Sequence, residues 1–242
     1  MNPPPSTARL SVIIPVYNEE KTIRLIVERV LRTPSPLEIV IVDDCSTDLT
    51  PNVLRDLAAQ HPGIVRVLRH ETNQGKGAGI RTALAAVTGE FVIIQDADLE
   101  YHPEDYPVAL RLLENGWTDA VYGSRFLGPH RVFLYWHYLA NKLLTFLVNV
   151  LTDSILTDME TGFKMIRTDV LRQLDIQSFK FDFEVEVTMK LFHRRHRVCE
   201  IPITYTGRDY NEGKKITWRD GVHALWAIFY WGILNRTTRP KA

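Results

Sequence analysis

Cysteine is scarce in this 242-residue chain: there are two, Cys45 and Cys199, far apart and outside any C-x-x-C spacing. A disulfide scaffold and a cysteine zinc site are both excluded by that count, and a reducing cytoplasm is the compartment it fits. Net charge is also missing. Twenty-nine basic and twenty-nine acidic side chains cancel, so no global field draws the protein to nucleic acid, and any anion recognition must be local. Nor is there an apolar run of about eighteen residues, which removes an ordinary membrane-spanning helix. The amino terminus MNPPPSTARL lacks the basic and apolar blocks of a secretory signal and reads as a disordered lead-in over residues 1–9.

What is present is an ordinary globular composition, 45% apolar and 24% charged, enough for one substantial core. Apolar, β-branched runs at Leu10–Tyr17, Leu37–Val42, Ile64–Leu68 and Phe91–Gln95 alternate with helical patterns. The apolar residues Ile23, Ile26, Val27, Val30 and Leu31 fall on one helix face. Thr50 and Pro51 mark a helix start, and a further helix is expected from about Gly77 to Val87. Strands apolar on both faces and separated by helices predict an α/β fold with a mostly parallel central sheet covered on both faces. Such sheets bind ligands beyond the carboxyl ends of their strands.

Three of those ends carry chemistry. The fourth strand runs into QDADLE, where Asp96, Asp98 and Glu100 crowd together. Their repulsion asks for a cation, and all-oxygen ligands suit Mg²⁺ or Mn²⁺ shared with substrate phosphates. Two solvated loop aspartates would give the same letters; the position after an apolar strand favours the metal. The second strand ends in Asp43, Asp44 and Asp48, where Ser46, Thr47 and Asp48 also serve as turn and cap residues. The first ends in PVYNEE, offering Pro15 and Tyr17 as a stacking surface and Glu19 as an acceptor.

The ordered series PVYNEE, IVIVDDCSTD, NQGKGAGIRTAL, IIQDADLEYHPED, YGSRF, TDMETGFKMIR, FDFEVEV and EIPITYTGRDYNEGKK resembles the family 2 inverting glycosyltransferases of GT-A (Rossmann-like, nucleotide-sugar-binding) fold. The polyprenyl- and dolichyl-phosphate sugar synthases, of the dolichol-phosphate mannosyltransferase kind, are the nearest in pattern. The resemblance implies a GT-A domain over residues 10–219. It implies that Pro15, Tyr17, Glu19 and Asp44, with the backbone at Val42 and Ala97, hold the nucleoside. Asp96 and Asp98 match the metal and diphosphate motif, and Glu100 stands where relatives have Gln or Ser. Arg125 of GSR matches an arginine near sugar and phosphates, and Arg208 and Lys214 match cations of a late loop.

Those cations make sense independently, because a leaving diphosphate gains charge that Arg125, Arg208, Lys214 and Lys215 would offset. Remaining motifs have plainer readings. GKGAG fails the P-loop pattern and reads as a tight helix start, with a donor contact through Lys76 as the alternative. His193 to His196 read as a solvated helix end. Glu184 and Glu186 fit either a contact near the acceptor or a helix start. Val132–Leu151 forms an amphipathic helix pattern. Residues 220–242 form a short aromatic helix followed by Arg236, Arg239 and Lys241, suited either to a membrane interface or to packing.

The expected activity is metal-dependent transfer, with inversion, of a sugar from GDP-mannose or a UDP-hexose to a polyprenyl or dolichyl phosphate. The expected place is the inner face of the cytoplasmic membrane, as a peripheral protein. Another acceptor, a sugar-nucleotide pyrophosphorylase and a non-catalytic nucleotide-sugar-binding protein are the competing readings.

Overall fold

A computed structural model describes residues 10–33, 37–128, 130, 134–179, 182–207 and 218–235. The first half alternates as expected: β1 (Leu10–Val16), α1 (Ile23–Leu31), β2 (Leu37–Asp43), α2 (Thr50–Gln60), β3 (Val65–Arg69), α3 (Lys76–Ala86) and β4 (Phe91–Ile94). Helix α1 buries Ile23, Ile26, Val27 and Val30, the face its spacing dictates. Helix α2 starts on Thr50 itself. Asp48 accepts the Thr50 N–H, while the Thr50 hydroxyl accepts the Glu19 N–H at 2.9 Å, so the threonine ties β1's loop to α2 instead of capping.

The second half adds α4 (Tyr106–Glu114), β5 (Ala120–Ser124), α5 (Tyr135–Thr152), β6 (Lys164–Arg167), α6 (Thr168–Gln173), α7 (Phe183–His193), β7 (Val198–Pro202) and α8 (Trp218–Phe229), which runs into a π-helical turn at Tyr230–Leu234. Glu184 and Glu186 lie in the first turn of α7. The strands form one sheet in the order β3-β2-β1-β4-β6-β5-β7. β3, β2, β1 and β4 are parallel, β6 runs against both neighbours, and β7 pairs parallel with β5.

Two apolar layers cover the sheet. Successive β1 residues alternate between them: Val12 and Ile14 join the α1, α2 and α4 side, and Ile13 joins the side of α3, α5, α7 and α8. Because β1 has β2 on one side and β4 on the other, chain order reverses at β1, and the crevice beyond it is where such sheets take ligands.

Helices α5 and α8 depart from ordinary core helices. In α5 only Leu144, Thr145 and Val148 are buried, leaving Trp136, Leu139, Leu143, Phe146 and Val150 in solvent. In α8 and its π turn, Ala227, Ile228 and Trp231 are buried while Trp226, Phe229, Tyr230 and Leu234 are exposed. Trp231, in the aromatic segment read as suited either to a membrane interface or to packing, takes the packing role: its ring centroid lies 4.5 Å from the Lys190 Nζ, inside the core. Ala224, Ala227, Ile228 and Trp231 follow one another at the three- and four-residue spacing of a single helix face, so this ring turns inward with them. No helix of the described residues is long and apolar enough to cross a membrane. Arg236, Arg239, Lys241 and the lead-in lie outside the described residues.

Candidate active site

Backbone register brings the ends of β1 and β2 level, with Val16 opposite Asp43, and stops β4 three residues short of them, with Ile94 opposite Ile13. Tyr17 is 42% exposed at the end of β1, a ring open for stacking. Pro15 lies against α3, where a Cβ on Gly79 would meet the proline Cβ at 3.3 Å, and a Cβ on Gly77 would meet the Ser178 carbonyl at 2.5 Å. The glycines of GKGAG thus permit close packing, as the tight-start reading expects.

Asp43, the last residue of β2, and Asp44, just beyond it, differ. The Asp43 Oδ1 accepts the Ser46 N–H at 2.9 Å, and its Oδ2 lies 3.4 Å from the Arg69 Nε. Asp44 is buried and turned into the protein: it accepts N–H groups of Gln74 and Gly75 and lies 2.7 Å from the His70 Nδ1. Its carboxylate shapes the floor by pinning the loop that starts α3.

Beyond β4, the Lys76 Nζ stands 2.8 Å from both Asp96 Oδ1 and Glu184 Oε1. Burial works to strip this ammonium of its proton, but the two carboxylates outweigh it and hold the lysine above its usual range. Asp98 Oδ1 accepts the Glu100 N–H at 3.1 Å, closing a turn in which Leu99 takes φ 67°. Glu100 accepts a hydrogen bond from the Tyr205 hydroxyl at 2.8 Å. The expected trio of Asp96, Asp98 and Glu100 is not gathered, and among the described residues no group of three or more Asp, Glu, His or Cys is arranged to hold a metal. Asp96 and Asp98 follow β4 two residues apart, and two carboxylates are a donor set that fits Mg²⁺ or Mn²⁺ when phosphate oxygens complete the shell.

A second wall comes from the turn between α5 and β6. Gly162 leaves no room: a Cβ there would stand 2.5 Å from Asp96 Oδ2 and 3.0 Å from the Tyr101 ring. The Gly162 N–H donates to the Tyr101 hydroxyl at 2.8 Å. Four residues earlier, the fully buried Asp158 takes Arg125 Nε and Nη2 in a fork, each at 2.7 Å. Glu200 of β7 accepts the N–H groups of Thr157 and Asp158 and so fixes that turn. One turn therefore touches both the carboxylate after β4 and the guanidinium after β5.

Behind it lie Glu160 and Lys164. Burial and the neighbouring Glu184 charge push the Glu160 carboxyl up to about 7, and burial lowers Lys164 to about 8. Lys164 Nζ donates to the carbonyls of Met159 and Thr161. Oxygens Glu160 Oε1 and Glu184 Oε2 are buried without a hydrogen-bond partner. Glu186, by contrast, is spent on structure, accepting from Gln177, Ser178 and Lys190. Asp158, Glu160, Glu200 and Tyr205 were not anticipated; the TDMETGFK and EIPITY segments carried them without saying which side chain turned inward. Ala97 is buried beside the site. Arg208, Lys214 and Lys215 lie outside the described residues.

This geometry has relatives. The family model described as Glycosyl transferase family 2 matches residues 11–175. The undecaprenyl-phosphate mannosyltransferase of Micrococcus luteus is 32% identical, over 94% of this chain and 96% of its own. The polyprenol monophosphomannose synthase of Mycolicibacterium smegmatis is 28% identical, over 97% of this chain and 91% of its own. Among solved structures, the mannosyltransferase PcManGT from Pyrobaculum calidifontis, in complex with GDP-Man and Mn²⁺, superposes with a TM-score of 0.66 at 22% identity, over 96% of this chain and 66% of that one. Glucosyl-3-phosphoglycerate synthase from Mycobacterium tuberculosis, in complex with Mn²⁺, UDP and phosphoglyceric acid, gives 0.70 at 19% identity, over 98% and 81%. The fold is the expected GT-A arrangement.

Proposed function

The chain belongs to glycosyl transferase family 2, and from that premise we propose that it transfers a hexosyl group from a nucleotide diphosphate sugar to a polyprenyl phosphate. The observation that supports the reading is the 158–162 turn, which holds the Arg125 guanidinium through Asp158 at one end and packs through Gly162 against Asp96 of the D-x-D pair at the other. The names of both full-length relatives support a lipid phosphate acceptor, and mannose is the sugar they specify.

In this reading Pro15, Tyr17 and Glu19, with the backbone of Val42 and Ala97, hold the nucleoside on a floor fixed by Asp44. Asp96 and Asp98 would hold a divalent ion, which supplies charge stabilisation at the departing diphosphate. Arg125, locked on one edge by Asp158, offers its other edge to phosphate oxygens. The phosphate oxygen of the acceptor bonds to the anomeric carbon as the bond to the donor diphosphate breaks, and that electron pair leaves with the nucleoside diphosphate. A single displacement inverts the centre. A phosphate monoester is mostly ionised at neutral pH, its second pKa being about 6, so no side chain need remove a proton. Arg208 and Lys214 of the late loop would add positive charge as the diphosphate departs. The exposed apolar side chains of α5 and α8 form the surface by which the protein would rest on the cytoplasmic membrane face.

The test pairs a thermal-shift panel of nucleotide sugars, with and without Mn²⁺, with a transfer assay to a polyprenyl phosphate. A ligand at one hundred times its Kd adds about 2.7 kcal/mol of stability. Acceptor-dependent release of nucleoside diphosphate and formation of a lipid-linked sugar are expected. Pyrophosphate release from a nucleoside triphosphate and a sugar phosphate would identify a pyrophosphorylase instead, and binding without turnover would identify a binding protein.

A further inference from the structure

Lys76 has no role in the reading above, although its charge sits on one of the two aspartates of the D-x-D pair. It is the first residue of α3, and the main chain around it is held from two sides: the Gly75 N–H donates to Asp44 at 2.7 Å, and the Ala78 N–H donates to the Phe179 carbonyl at 3.3 Å. From that fixed start the side chain reaches inward, and its Nζ stands 2.8 Å from both Asp96 Oδ1 and Glu184 Oε1. One ammonium thus ties the carboxylate after β4 to the first turn of α7. Among the described residues no other donor or cation reaches the Asp96 side chain.

The ammonium and a divalent ion call on the same carboxylate. Asp96 Oδ1 is engaged by Lys76, and Oδ2 is packed against Gly162, where a Cβ would stand only 2.5 Å from it. An ion placed on either oxygen meets a full positive charge close by, in a place where the lysine side chain is 12% exposed and little water lies between the two. Charge count tunes how tightly a site of oxygen ligands holds a divalent cation. With Lys76 in place, the Asp96–Lys76–Glu184 cluster carries one net negative charge; without it, the same two carboxylates would carry two. A nucleoside diphosphate changes this balance, because its phosphate oxygens add negative charge and are themselves ligands for Mg²⁺ or Mn²⁺.

We propose that Lys76 is a resident counter-ion that makes metal binding depend on the nucleotide: its ammonium holds Asp96 until the donor arrives and keeps a divalent ion weakly bound on its own, and the donor's diphosphate supplies the charge that lets ion and donor bind together. The proposal rests on the transferase reading above and deepens it by giving one side chain the coupling between metal and donor. Such coupling is reciprocal, so the factor by which the nucleotide tightens the ion is the factor by which the ion tightens the nucleotide.

The experiment measures Mn²⁺ binding through loss of the free-ion electron paramagnetic resonance signal, corrected for Mn²⁺ held by free nucleotide, in the full chain and in Lys76→Met, Lys76→Arg and Asp98→Asn. Each is titrated with Mn²⁺ alone, with GDP and with UDP. In the parent, at least one of the two nucleotides should tighten Mn²⁺ by about tenfold or more, which is about 1.4 kcal/mol of coupling. Lys76→Met should bind Mn²⁺ alone about tenfold more tightly than the parent and lose most of the coupling, whereas Lys76→Arg, which keeps the charge, should stay within about threefold of the parent in both. A lysine that only supported the fold would give weaker Mn²⁺ binding when replaced; that result, or an unchanged affinity for Mn²⁺ alone, would overturn the proposal. A parent that binds Mn²⁺ equally well with and without either nucleotide would overturn it too. If Lys76→Met is too unstable to titrate, Glu184→Gln and Lys76→Met/Glu184→Gln supply the same comparison with no carboxylate stranded. Mn²⁺ binding that survives unchanged in Asp98→Asn would refute the metal reading itself, whatever the Lys76 variants show.

Discussion

Replacing Lys76 with methionine keeps most of the side-chain volume and deletes the charge that joins Asp96 to Glu184. The Lys76 side chain is 12% exposed and that of Glu184 6%, whereas Asp96 is 22% exposed. Asp96 can therefore recover some hydration, but Glu184, whose Oε2 already has no hydrogen-bond partner, would be left as a stranded buried charge. Removing one partner of a buried pair costs about 3–5 kcal/mol. For a chain of this length each kcal/mol lowers Tm by about 2–4 °C, so the variant should melt about 6–20 °C lower. Removing the charge on the other side, in Lys76→Met/Glu184→Gln, should restore much of the loss, with a coupling energy of about 2 kcal/mol. Denaturant unfolding of the parent, both single variants and the double variant closes the cycle. Because a stranded buried carboxylate takes up a proton rather than remain charged, the loss should be larger at pH 8 than at pH 5. A coupling below about 0.5 kcal/mol would refute the reasoning. The same variant frees Asp96 Oδ1, so Mn²⁺ alone should raise its melting temperature more than it raises that of the parent.

Other outcomes follow from the same site. Gly162→Ala places a methyl group 2.5 Å from Asp96 Oδ2; donor affinity should fall by about tenfold and stability by about 1–3 kcal/mol, measured by nucleotide-sugar titration and by unfolding. Asp98→Ala should abolish metal-dependent turnover while circular dichroism shows an intact fold, and full activity would remove the metal assignment. The raised Glu160 carboxyl binds its proton more tightly folded than unfolded, so its contribution is fully present below about pH 4.5 and is lost as pH rises to about 7. Glu160→Gln should flatten that slope in a series of unfolding curves. Trp226→Ser/Phe229→Ser, which alters only exposed rings, should weaken flotation with anionic liposomes at low salt and leave Tm within about 2 °C.

Strands β1, β2 and β4 were legible because each is a mostly apolar, β-branched run, a signal contained in four to seven adjacent residues; β3, VRVLR at the sheet edge with only Val65 buried, departs from the expectation of a strand apolar on both faces. β6 was not legible: KMIR is four residues long and opens with a lysine. Asp96 and Asp98 could be found because a strand end is a local feature. That Asp44 turns inward depends on His70, Gln74 and Gly75, 26 to 31 residues away. The Glu100 contact with Tyr205 spans 105 residues and the Lys76 contact with Glu184 spans 108. Letters at such separations acquire meaning only once the sheet order is known. The inward turn of Trp231 follows the 3.6-residue period it shares with Ala224, Ala227 and Ile228; what hid it is that this face is made of small residues and one ring, while the exposed face is as apolar as the buried one.

The reversed direction of β6 has an engineering consequence. In an all-parallel sheet the segment leading into a strand arrives at the edge opposite the ligands, but β6 is antiparallel to β4 and β5, so the segment leading into it, residues 153–163, arrives at the ligand edge. Every strand of the half proposed to hold the nucleotide, β1 to β4, is complete before that segment begins. The proposed transferase reading then predicts that acceptor preference is a cassette: residues 125–163 of one relative, grafted between the same flanking strands of another, should change the molecule that receives the sugar while the donor stays the same. The junctions most demanding to match are Gly162 and Glu200, the first because it lies against Asp96 and the second because it holds the grafted turn from a strand outside the graft.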